Sequence, residues 1–362
     1  MRSVFEIPSA PRTAAALTAA LTCALTLGGC GLLGGGGEDV TAEAESKLRQ
    51  GDIPGAMAAY DAALAEHADS VPAAVGAAYG AYLRGEYDKA DQLLAAAEAP
   101  AGEAVGDIKL RRALVALKTG DTDAVRTHAG ASGLPAGKLL VAEVDLADGE
   151  REEAETLLNE IKGTPGSVGE TASAYLSLLG DEDPLVAGLA ENYALWALGQ
   201  RRVAAVSVEE VVKGMPDDRE RKAEELLLWA GRAASVGESQ VASNLLEAIS
   251  FPPKGQAWRV LATRGIILCS EGGTEGAGLS NAEGCKQTFD ELEGKAPSDG
   301  LAHARITASS VLGDKNPDIA LALLDDVPES DAAALAALRA GDEGTASSLA
   351  PEGLFADYLE QR

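Results

Sequence analysis

The feature that most constrains how this chain can fold is a recurring break. Gly51-Asp52 closes one apolar-periodic stretch, and Gly85-Glu86-Tyr87 closes the next, 34 residues later. Behind each glycine the apolar residues return at the same offsets: Ala56, Tyr60 and Ala63, with Leu64 beside them, then Ala90, Leu94 and Ala97. Steps of four and three keep these residues on one face of a helix, so the pattern reads helix, turn, helix. Ala78, seven before a glycine, and Ala90, five after it, are small enough to let paired helices approach closely, while Tyr60 and Leu94 fill the space to the next pair. Partial copies surround Gly120, Gly149, Gly199, Gly237 and Gly341; Gly149 is preceded by Ala142 and followed by Ala154, Leu158 and Ile161, and Gly237 is preceded by Trp229 and Ala230 and followed by Ala242, Leu246 and Ile249. Only 4% of the residues are aromatic. That suits thin, closely packed helices and suits neither a β-sandwich nor a large ligand cavity. The expected class is all-α.

A 34-residue period of helix, Gly-Asp turn and helix resembles the tetratricopeptide repeat. Trp258-x-x-Leu261-Ala262-x-x-Gly265 resembles the opening of a further copy, with Gly265 where an aromatic is usual. The resemblance implies an α-α superhelix, a solenoid of helical hairpins, over residues 39–362. The pattern drifts between Gly163 and Gly214, an irregularity that either divides an N-terminal array from a C-terminal one or is absorbed by a continuous solenoid. There Gly180-Asp181-Glu182-Asp183-Pro184 is a stop and restart signal, because proline is tolerated in a first helical turn and acids suit a helix N-terminus. Helices are expected over about Pro184–Leu198 and Arg201–Lys213, and Pro216-Asp217-Asp218 opens a longer one reaching Ser235. The family's arrays bind partners on a concave face built by the first helix of each hairpin. In the best-matched frame that places Tyr79, Tyr82 and Leu83 on the face, beside Arg49 of the preceding repeat. Tyrosines suit such a groove because they give large contact area at low entropic cost; packing between helices is the equal alternative. Tyr193 and Trp196, three apart, form a second aromatic pair and read as core packing.

Ahead of the repeats the chain carries Arg2 and Arg12, then runs without charge from Thr13 to Leu27. That apolar run of about 15 residues matches a signal-peptide core and falls short of the roughly 20 a spanning helix needs. Leu27-Gly28-Gly29-Cys30 then resembles the lipobox of bacterial lipoproteins. The resemblance implies removal of residues 1–29, diacylglycerol in thioether linkage on Cys30, and acylation, palmitate included, of the new amino group. Acyl chains contribute about 0.8 kcal/mol per buried methylene, so two or three hold a protein on a membrane firmly. Residues 30–38, with the run Gly31-Leu32-Leu33-Gly34-Gly35-Gly36-Gly37, would be a tether of roughly 15 Å. Gly31 is not the aspartate that commonly signals inner-membrane retention, so the resemblance points to an outer membrane, with the protein facing the periplasm. With Cys23 in the signal and Cys30 lipidated, Cys269 and Cys285 remain. An even pair in an exported chain is most simply a disulfide, here at the edges of the Gly- and Ser-rich loop Ser270–Ala282.

The formal charge is −27. This excludes nucleic acid, whose phosphates need Lys and Arg clusters, and argues against a face lying on anionic lipid. The three histidines, His67, His128 and His303, fall in separate segments and read as surface residues that neither form a metal site nor pair with a serine. The acidic runs Asp181-Glu182-Asp183 and Asp217-Asp218 lack the alternating ligand loop of a calcium site, and no phosphate-cradling Gly-Lys-Ser/Thr motif is present. No cofactor and no enzymatic activity are expected. The reading is a lipid-anchored periplasmic scaffold or adaptor that holds another envelope protein or peptide, one with a basic face, in assembly of an outer-membrane or secretion complex. Its rivals are an envelope enzyme or activator of a cell-wall hydrolase, and a solute-binding or sensing lipoprotein.

Overall fold

The structure, a computed structural model, describes residues 41–49, 53–215, 219–271 and 281–349. The signal, lipobox, tether, Gly51-Asp52 break, Asp217-Asp218 and last residues lie outside the described ones. Among the described residues there are nineteen α-helices and no strand. The fold is all-α, as the periodicity requires. The chain divides at Gly180-Asp181, inside the stretch where the sequence pattern drifts, into two compact units.

The first unit contains α1 (Ala42–Arg49), α2 (Ile53–Glu66), α3 (Val71–Leu83), α4 (Tyr87–Glu98), α5 (Val105–Thr119), α6 (Thr122–Ser132), α7 (Pro135–Ala147), α8 (Arg151–Ile161) and α9 (Ser167–Leu179). The second contains α10 (Pro184–Ala197), α11 (Arg201–Gly214), α12 (Arg219–Ser235), α13 (Ser239–Glu247), α14 (Ala257–Glu271), α15 (Asn281–Glu291), α16 (Ser298–Leu312), α17 (Pro317–Ala322), α18 (Asp331–Arg339) and α19 (Glu343–Leu349). In the first unit each helix packs mainly on its sequence neighbours. In the second, α12, α14, α16 and α18 also pack successively on one another, which is the inner row of a stack of hairpins.

One turn recurs. At Gly85, Gly120, Gly149, Gly199, Gly237 and Gly341 the backbone takes φ between 75° and 83°. A side chain rarely adopts this left-handed conformation, which is why glycine stands there. Around Gly149 the amide of Glu150 donates to Asp145 O at 2.8 Å and that of Gly149 to Leu146 O at 3.1 Å. The same pair of bonds forms at the other five glycines, satisfying carbonyls that a helix end leaves open. The next helix begins two residues after each glycine, so the two helices of a hairpin are set at a fixed geometry. Five positions beyond the glycines stand Ala90, Val125, Ala154, Ala204, Ala242 and Ala346, all at 0% exposure. Seven before them stand buried alanines, Asn192 excepted, and Asn192 Oδ1 accepts from Ser207 Oγ at 2.7 Å across its hairpin. The small residues in both helices therefore lie in the crossing.

The 34-residue period is not kept. Gly85 and Gly120 are 35 apart, and Gly120 and Gly149 only 29. The turn is the same in these six hairpins, whereas the link to the next hairpin varies: residues 99–104 in one case, Gly133-Leu134 in another, 162–166 in a third. Links carry no packing frame of their own and tolerate changes in length. Between hairpins, glycine again admits aromatic rings. The Tyr60 ring lies against Gly76, filling the space to the next hairpin as its spacing predicts, and the Trp258 ring of α14 lies against Gly300 of α16; inside the α14–α15 hairpin, fully buried Phe289 lies against Gly265.

The restart at Pro184 is as expected: Asp183 Oδ1 accepts from Leu185 N at 2.8 Å, capping α10, and Asp181 pairs with Arg221 at 2.8 Å. Cys269 on α14 and Cys285 on α15 are both buried, at disulfide distance with Cα atoms 5.3 Å apart.

Substituting Gly149 by Ala should cost about 1 kcal/mol through the left-handed turn, and Ala154→Leu about 1–3 kcal/mol through overpacking of the crossing; urea midpoints measure both. Reduction of the Cys269–Cys285 pair should lower stability by roughly 3 kcal/mol, read as a fall in melting temperature that a Cys269→Ser variant reproduces and reductant no longer changes.

Candidate functional site

The face predicted to bind a partner lies on α3, which carries no charged residue over its thirteen positions. Ser70 caps it, its hydroxyl accepting from Ala73 N, and Pro72 sits in the first turn where its missing N–H leaves no gap. Gly76 and Gly80 turn one side towards Tyr60 and Met57 of α2. Ala74, Ala78 and Ala81 turn another into a core shared with Ala90, Leu94, Ile108 and Val115. The side left over presents exposed Pro72 and half-buried Val75, Tyr79 and Tyr82.

Tyr79 and Tyr82 are neighbours. Burial and the proximity of Tyr82 raise the Tyr79 hydroxyl pKa, and burial and Tyr87 raise that of Tyr82. Tyr82 also meets Tyr87 edge to face, with ring centroids 5.7 Å apart, and both rings rest on the core. Tyr82 therefore does double duty, half packing and half surface. The side chains of Leu83 and Arg49 lie outside the described ones, so the structure brings together two of the four residues predicted for this face and adds Tyr87. At the C-terminal end of α3 the Arg84 guanidinium is engaged by Glu86 at 2.8 and 3.1 Å and by Met57 Sδ at 2.8 Å.

The second aromatic pair is packed, as its spacing predicts, but around a charge that the sequence did not reveal. Tyr193 is buried and Trp196 half-buried on α10, and both meet Trp229 of α12 edge to face, at 5.3 and 6.0 Å. Arg232, one turn beyond Trp229, places its guanidinium 4.8 Å from the Tyr193 ring, 5.0 Å from Trp196 and 4.5 Å from Trp229. Arg201 approaches Trp196 at 5.6 Å. The Tyr193 hydroxyl donates to both carboxylate oxygens of buried Glu225, at 3.2 and 3.0 Å. Burial raises the Glu225 pKa, opposed by Tyr193, Arg232 and Arg221; burial and then Glu225 push Tyr193 well above its ordinary range.

A similar pair joins α7 to α9 in the first unit. Glu143, 1% exposed, faces the Tyr175 hydroxyl at 3.2 Å, and burial pushes its pKa up to about 8 against that hydrogen bond. Glu143–Tyr175 and Tyr193–Glu225 each span 32 residues; the first ties α7 to α9, the second ties α10 to α12, the first helices of successive hairpins. Neither pair was anticipated. The available signal was Glu143 standing inside the run Leu139-Leu140-Val141-Ala142-Glu143-Val144, where an acid has no place unless something meets it.

Two networks of ordinary charge complete the picture. Arg112 binds Asp91 and Glu98, tying α5 to α4, and Arg126 binds Asp145, Asp148 and Glu150, tying α6 to α7 and its turn. His67 is exposed in the turn after α2. His128 and His303 are half-buried rather than surface residues, and burial lowers the pKa of each. Among the described residues no three His, Cys, Asp or Glu side chains are grouped to hold a metal ion, and no helix is long and apolar enough to cross a membrane. Compared with known families and with curated proteins, the chain matches no family model and no curated protein.

The Glu143 shift fixes a pH dependence. The unfolded chain releases this proton near 4.5 and the folded chain near 8, so the contribution is intact below the lower value and is lost as pH rises to the upper one. Its slope is at most about 1.4 kcal/mol per pH unit. Glu143→Gln should remove that loss. Urea unfolding of both proteins between about pH 5 and about pH 8 checks it; parallel curves would show that Glu143 ionises normally.

Proposed function

We propose that this protein is a lipid-anchored scaffold or adaptor of the bacterial envelope, a helical-repeat array that holds another envelope protein against the first helices of its hairpins. The observation that carries the reading is the repeated hairpin turn together with the free face of α3. Stacked hairpins bury the sides of each first helix against neighbours, and on α3 the remaining side is uncharged and carries Tyr79 and Tyr82. A half-buried tyrosine pair on an uncharged helix supports contact with a partner, since tyrosine loses little entropy on being covered. The net charge of −27 favours a partner with a basic face and makes association salt-sensitive.

Membrane attachment rests on Cys30 behind the apolar run and on the lipobox resemblance, and Gly31 favours the outer membrane with the array facing the periplasm. The buried Cys269–Cys285 pair suits an oxidising compartment.

Two measurements test the reading. Intact mass of the membrane-extracted protein should show a polypeptide beginning at Cys30 and carrying acyl mass, and Cys30→Ser should release the protein from the envelope fraction; an unprocessed, unacylated chain would refute the anchor. Capture from an envelope extract should yield one stoichiometric protein partner that dissociates as salt is raised. Recovery of no partner under cross-linking would refute the scaffold.

A further inference from the structure

The two aromatic pairs occupy the same place in the repeated turn. Tyr79 and Tyr82 stand six and three residues before Gly85; Tyr193 and Trp196 stand six and three before Gly199. Because both glycines close the same hydrogen-bonded turn, each pair sits at the same position of a hairpin's first helix. In the second unit that position is a platform for a guanidinium: Arg232 stacks on both rings at 4.8 and 5.0 Å. Its source is the next first helix, α12, five residues before Gly237.

On the next first helix of the first unit no arginine stands at that place. Five residues before Gly120, on the next first helix α5, stands Val115, and twelve before it, where α12 carries Glu225, stands Ile108; both are buried in the core. The cation–π contacts found among the described residues fall on Tyr193, Trp196 and Trp229. Arg84, which follows α3 directly, is engaged by Glu86 and Met57. Among the described side chains, which do not include that of Arg49, the Tyr79–Tyr82 pair thus stays half-buried without a cation–π contact. Asp61, Glu86 and Asp88 are exposed on the adjoining helix and turn, and Asp61 and Glu86 both act on Arg84 at this end of α3. Arg84 and Lys89 both pair with Glu86, which leaves an excess of one negative charge among these five groups.

We propose that the Tyr79–Tyr82 face of α3 docks a basic segment of the partner protein by stacking one of its arginine side chains on the two tyrosine rings, as Arg232 stacks on Tyr193 and Trp196. The inference rests on the protein-binding reading above and adds the chemistry of the contact. Arginine is favoured over lysine because its planar guanidinium is weakly hydrated and stacks on aromatic faces, whereas an ammonium keeps its water.

The test uses two short Gly-Ser peptides, one bearing two arginines and the other two lysines, titrated calorimetrically into the full chain at about 0.15 M salt, where charge alone is well screened. The arginine peptide should bind about fivefold tighter. Tyr79→Ala/Tyr82→Ala should abolish that difference, while Tyr79→Phe/Tyr82→Phe, which keeps both rings and the packing of Tyr82 on Tyr87, should retain it. No difference between the peptides on the wild-type chain overturns the proposal, whether both bind or neither does. So does a difference that survives the double alanine variant when its circular dichroism is unchanged. A partner captured equally by the wild-type chain and by the double alanine variant would leave the scaffold standing and remove this site from it.

Discussion

The rest of the structure depends on a turn of three residues closed by two backbone hydrogen bonds. The glycine at its centre lets the chain reverse without strain, and the bonds take up carbonyls that the first helix would otherwise leave open. Once the reversal is fixed, the residues that meet at the helix crossing are fixed as well. Residues seven before and five after the glycine face each other, and nearly all are alanine or another small side chain. The turn and the alanine content are one design: a fixed reversal holds the helices close, and only small residues allow them to be that close. Loss of the turn would leave the crossings without a register.

Between hairpins the chemistry changes. Close approach is still provided at Gly76 and Gly300, but aromatic rings, Tyr60 and Trp258, now fill the space. Buried polar pairs appear as well, Glu143–Tyr175 in one unit and Tyr193–Glu225 in the other. A carboxyl withdrawn from water is costly unless met by a donor, so each pair selects the helix that supplies its partner. Apolar contacts are tolerant of sliding; a buried carboxyl is not. Arg232, ringed by Tyr193, Trp196 and Trp229, acts the same way between α10 and α12. The same chemistry that fixes one helix against another inside the chain is left half exposed at Tyr79 and Tyr82.

Much of the fold was legible in the residues. Gly149 with Ala142, Ala154, Leu158 and Ile161 predicts a hairpin, and the structure places those four residues in the core. Pro184 behind Asp183 predicts a helix start, and Asp183 caps one. The 34-residue step from Gly51 to Gly85 does not recur at the later glycines, because the length of the links between hairpins is not fixed. The candidate face was legible in part. Tyr79 and Tyr82 follow from the frame, but the edge-to-face contact of Tyr82 with Tyr87 depends on how α4 returns past α3. His128 and His303 were placed on the surface from composition, and half-burial follows from neighbours that composition does not name.

The sequence by itself determined the helices, the places where they reverse and the small residues at their crossings. These rest on local rules: periodicity within a few turns, the glycine requirement of a left-handed residue, and capping at a defined offset. Only the tertiary structure decided which side chains meet 32 residues apart, at which point of the drifting stretch the chain divides, and which aromatic pair is met by an arginine and which stays half-buried beside Tyr87. Those outcomes turn on how one hairpin seats against the next. The links between hairpins vary in length, so the spacing of the turn glycines does not record the register of that contact.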